Sequence, residues 1–186
     1  YNMNFSKDFK EIKGDASFRK FYRNKKTKSI IVFAKEEKNK NLLIYDAINK
    51  VLIKNKIIAP KLLNQKYQKN YIEIQDLGSK TIYQLFISNN NNHYSIFKKA
   101  VKVLDEIQLI KDKKIKDFRN KFYKIKEYKE QTLFNEAKLF NNWYASKKLS
   151  KKKFNVFKYK FNKEIKFLLT KLNFKNDTFV HRDFHV

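Results

Sequence analysis

The apolar pattern of this chain shifts from mainly strand-like to mainly helical near Asp76-Leu77-Gly78, and that shift constrains the fold more than any other feature. Before it, short β-branched and aromatic stretches alternate with polar residues, which suits strands with one buried face. After it, apolar residues recur every three to four positions, which suits helices. The 186 residues allow one full domain, or two small lobes sharing a cleft. Strands with one helix, then helices, predict an α+β chain: a β-rich N-lobe over 1–78, built as an antiparallel sheet plus one helix, and a helical C-lobe over 79–186.

Within the first part, the stretch around Phe9 to Ile12 and that from Phe18 to Arg23 read as two strands joined by a polar, glycine-containing turn. Ile30-Ile31-Val32-Phe33-Ala34 is a third. Asn39 or Asn41 can cap a helix running to about Asn55, with Leu43, Ala47 and Val51 on its apolar stripe. The lone Pro60 follows it. Lys61 to Leu63 and Tyr71 to Gln75 read as strands joined by a polar turn over Asn64 to Asn70. Beyond the switch, Thr81 to Ser88 and Tyr94 to Ile110 read as helices separated by the asparagine run 89–92, with His93 expected to be exposed and idle. One or two helices are expected from Asp117 to about Lys148, and another over Lys153 to Leu172. A last short strand, Thr178-Phe179-Val180, delivers a polar loop.

The formal charge of +26 admits a nucleic-acid or membrane-surface partner. The cation used argues against the first. Of 44 basic residues only Arg19, Arg23, Arg119 and Arg182 are arginine, leaving 40 lysines, whereas readers of bases and phosphates favour the planar arginine fork. The lysines are spread along the chain and accompany an Asn-, Ile-, Phe- and Tyr-rich composition, the mark of an AT-rich coding sequence. No cysteine is present, so disulfides and thiolate metal sites are excluded. No run of about 18 apolar residues spans a membrane, and no signal segment is visible, so a cytoplasmic location is expected. Tyr1 suggests a start downstream of the natural N-terminus, with Met3 as the alternative.

Three segments carry potential chemistry. In His181-Arg182-Asp183-Phe184-His185 a carboxylate follows an apolar strand, where it can orient a hydroxyl for attack. The same alternation puts His181, Asp183 and His185 on one side of an extended segment, so zinc ligation is a rival, though no fourth ligand accompanies them. The turn Gly14-Asp15-Ala16-Ser17 can lie over phosphates, offering backbone N–H groups and the Ser17 hydroxyl. Lys35, at the end of the third strand, can neutralise phosphate oxygens. Asp46, Glu36 and Glu37 are the acids from which a partner for it would come.

Together these segments resemble a family. Gly14-Asp15-Ala16-Ser17-Phe18-Arg19-Lys20-Phe21-Tyr22-Arg23 is similar to the GDASFRRYFR opening of bacterial members of the aminoglycoside phosphotransferase (choline kinase-like) family, in a subgroup resembling N-acetylmuramate/N-acetylglucosamine anomeric kinases. Ile74-Gln75-Asp76-Leu77-Gly78 resembles its LEDLG hinge. Glu136, Leu139-Phe140 and Trp143-Tyr144 resemble its E…LF..WY helix, and His181-Arg182-Asp183-Phe184-His185 its HRDYH..N catalytic loop.

The resemblance implies a two-lobed protein-kinase-like fold and an ATP- and Mg²⁺-dependent phosphotransferase acting on a small-molecule hydroxyl, with an amino sugar as the favoured acceptor. It implies Asp183 as the catalytic carboxylate. Nucleotide contacts fall to Gly14, Asp15, Ala16, Ser17 and Lys35 at the phosphates, and to the backbone of Gln75, Asp76 and Leu77 at the adenine. Glu136, Trp143, Tyr144 and His185 are implied on the acceptor side. The pattern places a Mg²⁺-binding Asn at about position 188 and a second metal-binding Asp later, both past Val186, so the 186 residues alone are expected not to turn over. A basic nucleic-acid-binding module and an antibiotic-modifying phosphotransferase are the alternatives. The 18 acids are few for a pocket that must take a polycationic drug.

Overall fold

The computed structural model of the chain describes residues 8–12, 19–35, 41–88, 92–172, 177–181 and 184. The chain is mixed α+β and forms two compact units, Tyr1–Ile125 with His181–Val186, and Lys126–Val180.

The first unit is built on a five-stranded antiparallel sheet of order β1-β2-β3-β5-β4, from β1 (Phe9–Ile12), β2 (Arg19–Asn24), β3 (Ser29–Ala34), β4 (Leu62–Lys66) and β5 (Tyr71–Gln75). Helix α1 (Asn41–Lys54) lies in sequence between β3 and β4. Register fixes which side chains share a face. Phe21 stands opposite Val32, Val32 opposite Ile72, and Ile30 opposite Ile74. Val32, Ala34, Ile72 and Ile74 form one buried cluster with Leu42 of α1, flanked by Phe21, Ile30, Tyr45 and Leu62. The helix buries the expected stripe Leu43, Ala47 and Val51, which are i, i+4 neighbours, together with Leu42 and Asp46. The β2–β3 turn is held by Asn24, whose side chain accepts from the N–H of Lys26 at 2.9 Å and of Thr27 at 3.3 Å.

The polar turn expected from Asn64 begins later. β4 extends through Asn64, Gln65 and Lys66, and the chain turns only at a 3₁₀ segment, Tyr67–Lys69. β4 is an edge strand with a register shift between Leu62 and Asn64, so polar side chains cost it nothing on the exposed side. After β5 come α2 (Ile82–Ile87) and α3 (His93–Gln108). Thr81 and Gln84 form a reciprocal capping box on α2, and Asn92 caps α3 through the Ser95 N–H.

The helical region expected over Asp117 to about Lys148 begins only at Glu130. Residues 114–124 form a hairpin, β6 (Lys114–Lys116) paired antiparallel with β7 (Phe122–Lys124). The buried Asp117 carboxylate accepts from the N–H of Arg119 at 2.8 Å and of Lys121 at 3.2 Å, and Asn120 takes a left-handed φ of 61°. Such a side-chain tie offers the backbone an alternative to helix. Phe118, at the tip, packs edge-on to Tyr67 at 5.5 Å and joins the sheet core.

The second unit is helical: α4 (Glu130–Leu139), a π-helical turn (Phe140–Ala145), α5 (Ser146–Lys148) and α6 (Lys151–Lys171). Phe140 stacks on Phe161 at 5.6 Å and meets Phe157 at 6.2 Å. Asn141 is fully buried and donates to the Asn162 side chain at 3.2 Å. The expected strand Thr178 to Val180 is not formed: residues 177–181 are irregular, no strand among the described residues pairs with them, and Val180 is 44% exposed. No helix of the described residues is long and apolar enough to cross a membrane.

Candidate functional site

β5 leads directly into the segment that the sequence singles out as a hinge, and Arg23 on β2 fastens it. Arg23 donates from Nε to Asp76 Oδ2 at 2.5 Å and from Nη2 to Asp76 Oδ1 at 3.1 Å, a two-point clamp. The same Nη2 donates to the Gly78 carbonyl at 2.8 Å, and the Gly78 N–H returns to Asp76 Oδ1 at 2.8 Å. Gly78 sits at φ 101°, which a side chain would strain. Burial pushes the Asp76 carboxyl up, but the Arg23 bonds and the Gly78 N–H outweigh it and hold the group below the usual carboxylate value. Sequence reasoning gave Arg23 no role of its own. Its partner lies 53 residues away, and no local spacing shows that.

Of the three residues expected to meet a ligand through their backbone, two have their N–H groups engaged in the sheet. Gln75 donates to the Lys61 carbonyl at 2.8 Å and Asp76 to that of Lys28 at 3.1 Å. Leu77 follows and is 52% exposed.

Lys35 is exposed and stands immediately after Ala34, the last ladder residue of β3. Of the acids considered as its partner, Asp46 is buried and pairs with Lys50 on its own helix at 2.7 Å, while also accepting from the Phe118 N–H. Burial raises the Asp46 carboxyl above its usual value despite both partners. Glu36 and Glu37 lie outside the described residues, as do Gly14, Asp15, Ala16 and Ser17, and also Asp183 and His185. From the terminal motif, the His181 and Phe184 rings meet edge-to-face at 5.3 Å. His93 is exposed, as expected, but not idle: its Nε2 lies 3.0 Å from the Phe86 carbonyl and its ring packs on Phe86.

In the second unit, the π-helical turn carries outward two of the four residues that the resemblance implies on the acceptor side. Trp143 is 68% and Tyr144 56% exposed; the Tyr144 ring stacks on Phe140 and Lys147 lies over the Trp143 ring. The wider helical turn sets them beside the buried Asn141. Glu136, on α4, accepts a hydrogen bond from the Tyr128 hydroxyl. Among the described residues no group of three or more acids or histidines is placed to hold a metal ion; of the rival zinc set, Asp183 and His185 lie outside those residues. The chain matches no protein-family model. Comparisons with curated proteins and with solved structures likewise find no match.

Proposed function

We propose that the chain is the nucleotide-handling part of an ATP-dependent small-molecule phosphotransferase with a two-lobed kinase-like fold, and that its acceptor is an amino sugar. The observation that carries this reading is the Arg23–Asp76 clamp. Arg23 closes the ten-residue opening motif, and Asp76 lies at the centre of the hinge motif. Two segments selected independently, by resemblance, are bonded to each other at the end of one sheet. The element order supports the same reading. Three strands, a helix and two strands follow one another, and the five strands form one antiparallel sheet.

In this reading Gly14 to Ser17 contact the nucleotide phosphates, the end of β5 borders the base, and Asp183 accepts or orients the proton of the acceptor hydroxyl. The exposed rings of Trp143 and Tyr144 suit the apolar face of a sugar, with the Glu136 carboxylate nearby in sequence. Rate enhancement comes from position and electrostatics. Mg²⁺, when bound, supplies neutralisation of the phosphate charge.

The test is thermal unfolding with millimolar ATP set against the same concentration of inorganic tripolyphosphate, at fixed ionic strength. The reading expects a larger upward shift with ATP, because the base is recognised as well as the charge. Equal shifts would mean that the +26 chain merely collects polyanions, and no shift would remove nucleotide binding altogether.

A further inference from the structure

The kinase-type reading has an unfilled requirement. Phosphoryl transfer in kinases uses a lysine on the third strand, paired with an acid of the following helix, to hold the nucleotide phosphates. Such a residue has to stand on the face of the sheet that carries the helix. On β3 that face belongs to Ile30, Val32 and Ala34, whose side chains meet the core under α1. Side chains alternate along a strand, so Ala34 holds the place and Lys35 follows it on the exposed side. The one acid well inside α1, Asp46, is engaged by Lys50 and by the Phe118 N–H.

A different cation occupies the neighbouring place. Arg19 is the cross-strand partner of Ala34. Directly opposed residues share a face, so Arg19 emerges on the helix-bearing side. Its guanidinium confirms this by lying 5.0 Å from the centroid of the Tyr45 ring of α1. Tyr45 in turn packs against Phe21, with 6.4 Å between the ring centroids. Arg19 is half-buried, and it is the first residue of β2. A cation that is stacked, partly desolvated and carried on a sheet strand is better ordered for a phosphate than a solvated lysine. The guanidinium also offers a planar fork that matches two phosphate oxygens at once.

We propose, resting on the phosphotransferase reading, that Arg19 rather than Lys35 is the cation that grips the nucleotide phosphates. β2 thus replaces β3 as the source of that charge, and Tyr45 is its platform.

The test compares ADP with adenosine, which lacks the phosphates, by equilibrium dialysis on the full 186-residue chain at 150 mM salt. Arg19→Gln is expected to weaken ADP binding by roughly ten- to a hundredfold, the usual weight of hydrogen bonds to a charged group, and to leave adenosine binding unchanged. Arg19→Lys should recover part of the loss, and Lys35→Gln should stay within about twofold of the unaltered chain. Undiminished ADP affinity in Arg19→Gln, or a large loss in Lys35→Gln alone, overturns the proposal while leaving the phosphotransferase reading in place. Equal losses of ADP and adenosine in Arg19→Gln also overturn it, because they mark a residue that only supports the fold. If the unaltered chain binds neither compound, the phosphotransferase reading fails and this inference with it.

Discussion

At the scale of single residues, the Arg23–Asp76 clamp gives the sharpest predictions. Arg23 is about one-quarter exposed and Asp76 is about one-tenth exposed, so the pair is shielded from much of the solvent that makes surface ion pairs weak. Removing the cation leaves a largely buried carboxylate and frees the Gly78 carbonyl. Arg23→Ala should therefore cost about 2–3 kcal/mol in chemical denaturation. Arg23→Lys should recover only part of that, since an ammonium cannot make both parallel bonds. The pH dependence has a definite sign. The folded-state carboxyl of Asp76 is held below the ordinary aspartate value of about 3.9, so the clamp contributes fully above about pH 4 and is lost as pH falls through the lowered value. Asp112, held low by Lys54 and Asn55, acts in the same direction. Asp46 acts oppositely: burial raises its pKa, so protonation on acidification relieves a penalty. Acid unfolding of Asp76→Asn should thus be less steep below pH 4 than that of the unaltered chain. Identical acid limbs would mean that the clamp does not report on folding.

At the scale of elements, what could be read from the sequence depended on whether a segment's partner was local. The five sheet strands and α1 were legible because β-branched alternation and the Leu43-Ala47-Val51 stripe are local signals, and both survive burial of a single face. The start of α2 was legible because Thr81 and Gln84 satisfy each other within one turn. The hairpin at 114–124 was not. Its Lys-rich strands carry only Ile115 and Tyr123 on the less exposed side, and its fold is decided by Asp117 bonding its own backbone and by Phe118 reaching Tyr67, about fifty residues back. The candidate site divides the same way. The motif segments could be found by inspection, but the bond that joins two of them could not, and neither could the place of Arg19 across from Ala34. The hairpin's dependence on one ring is testable. Phe118→Ala removes a half-buried aromatic from the sheet core and should cost about 2–4 kcal/mol. Asp117→Ala should be comparably damaging because it leaves two turn N–H groups without their acceptor. If Phe118→Ala unfolds at the same denaturant concentration as the unaltered chain, the hairpin is an ornament and not part of the first unit's core.

At the scale of the whole molecule, charge rather than packing sets the behaviour in solution. A net +26 on 186 residues opposes compaction through self-repulsion, and lysines are spread over both units. Part of that charge is used locally. Lys50, Lys54 and Lys129 pair with acids, while Lys114, Lys116, Lys138, Lys147, Lys158, Lys166 and Lys171 lie over aromatic rings at 4.9–5.8 Å. Those contacts are mostly exposed and individually weak, on the order of 0.5–1 kcal/mol each, so they do not cancel the long-range repulsion. Screening should therefore stabilise the chain. Raising NaCl from about 20 mM to about 500 mM shortens the Debye length from roughly 20 Å to under 5 Å. The unfolding midpoint should rise by several degrees over that range. The same titration separates the two ways of reading so many lysines. A nucleic-acid module would bind arbitrary duplex DNA with an affinity falling steeply and log-linearly with salt. A phosphotransferase whose lysines only keep it dissolved would lose DNA binding by about 150 mM salt yet keep its preference for ATP over tripolyphosphate, because that preference comes from recognition of the base. Tight DNA binding that persists at 150 mM, together with no preference for ATP, would reverse the order of the two readings.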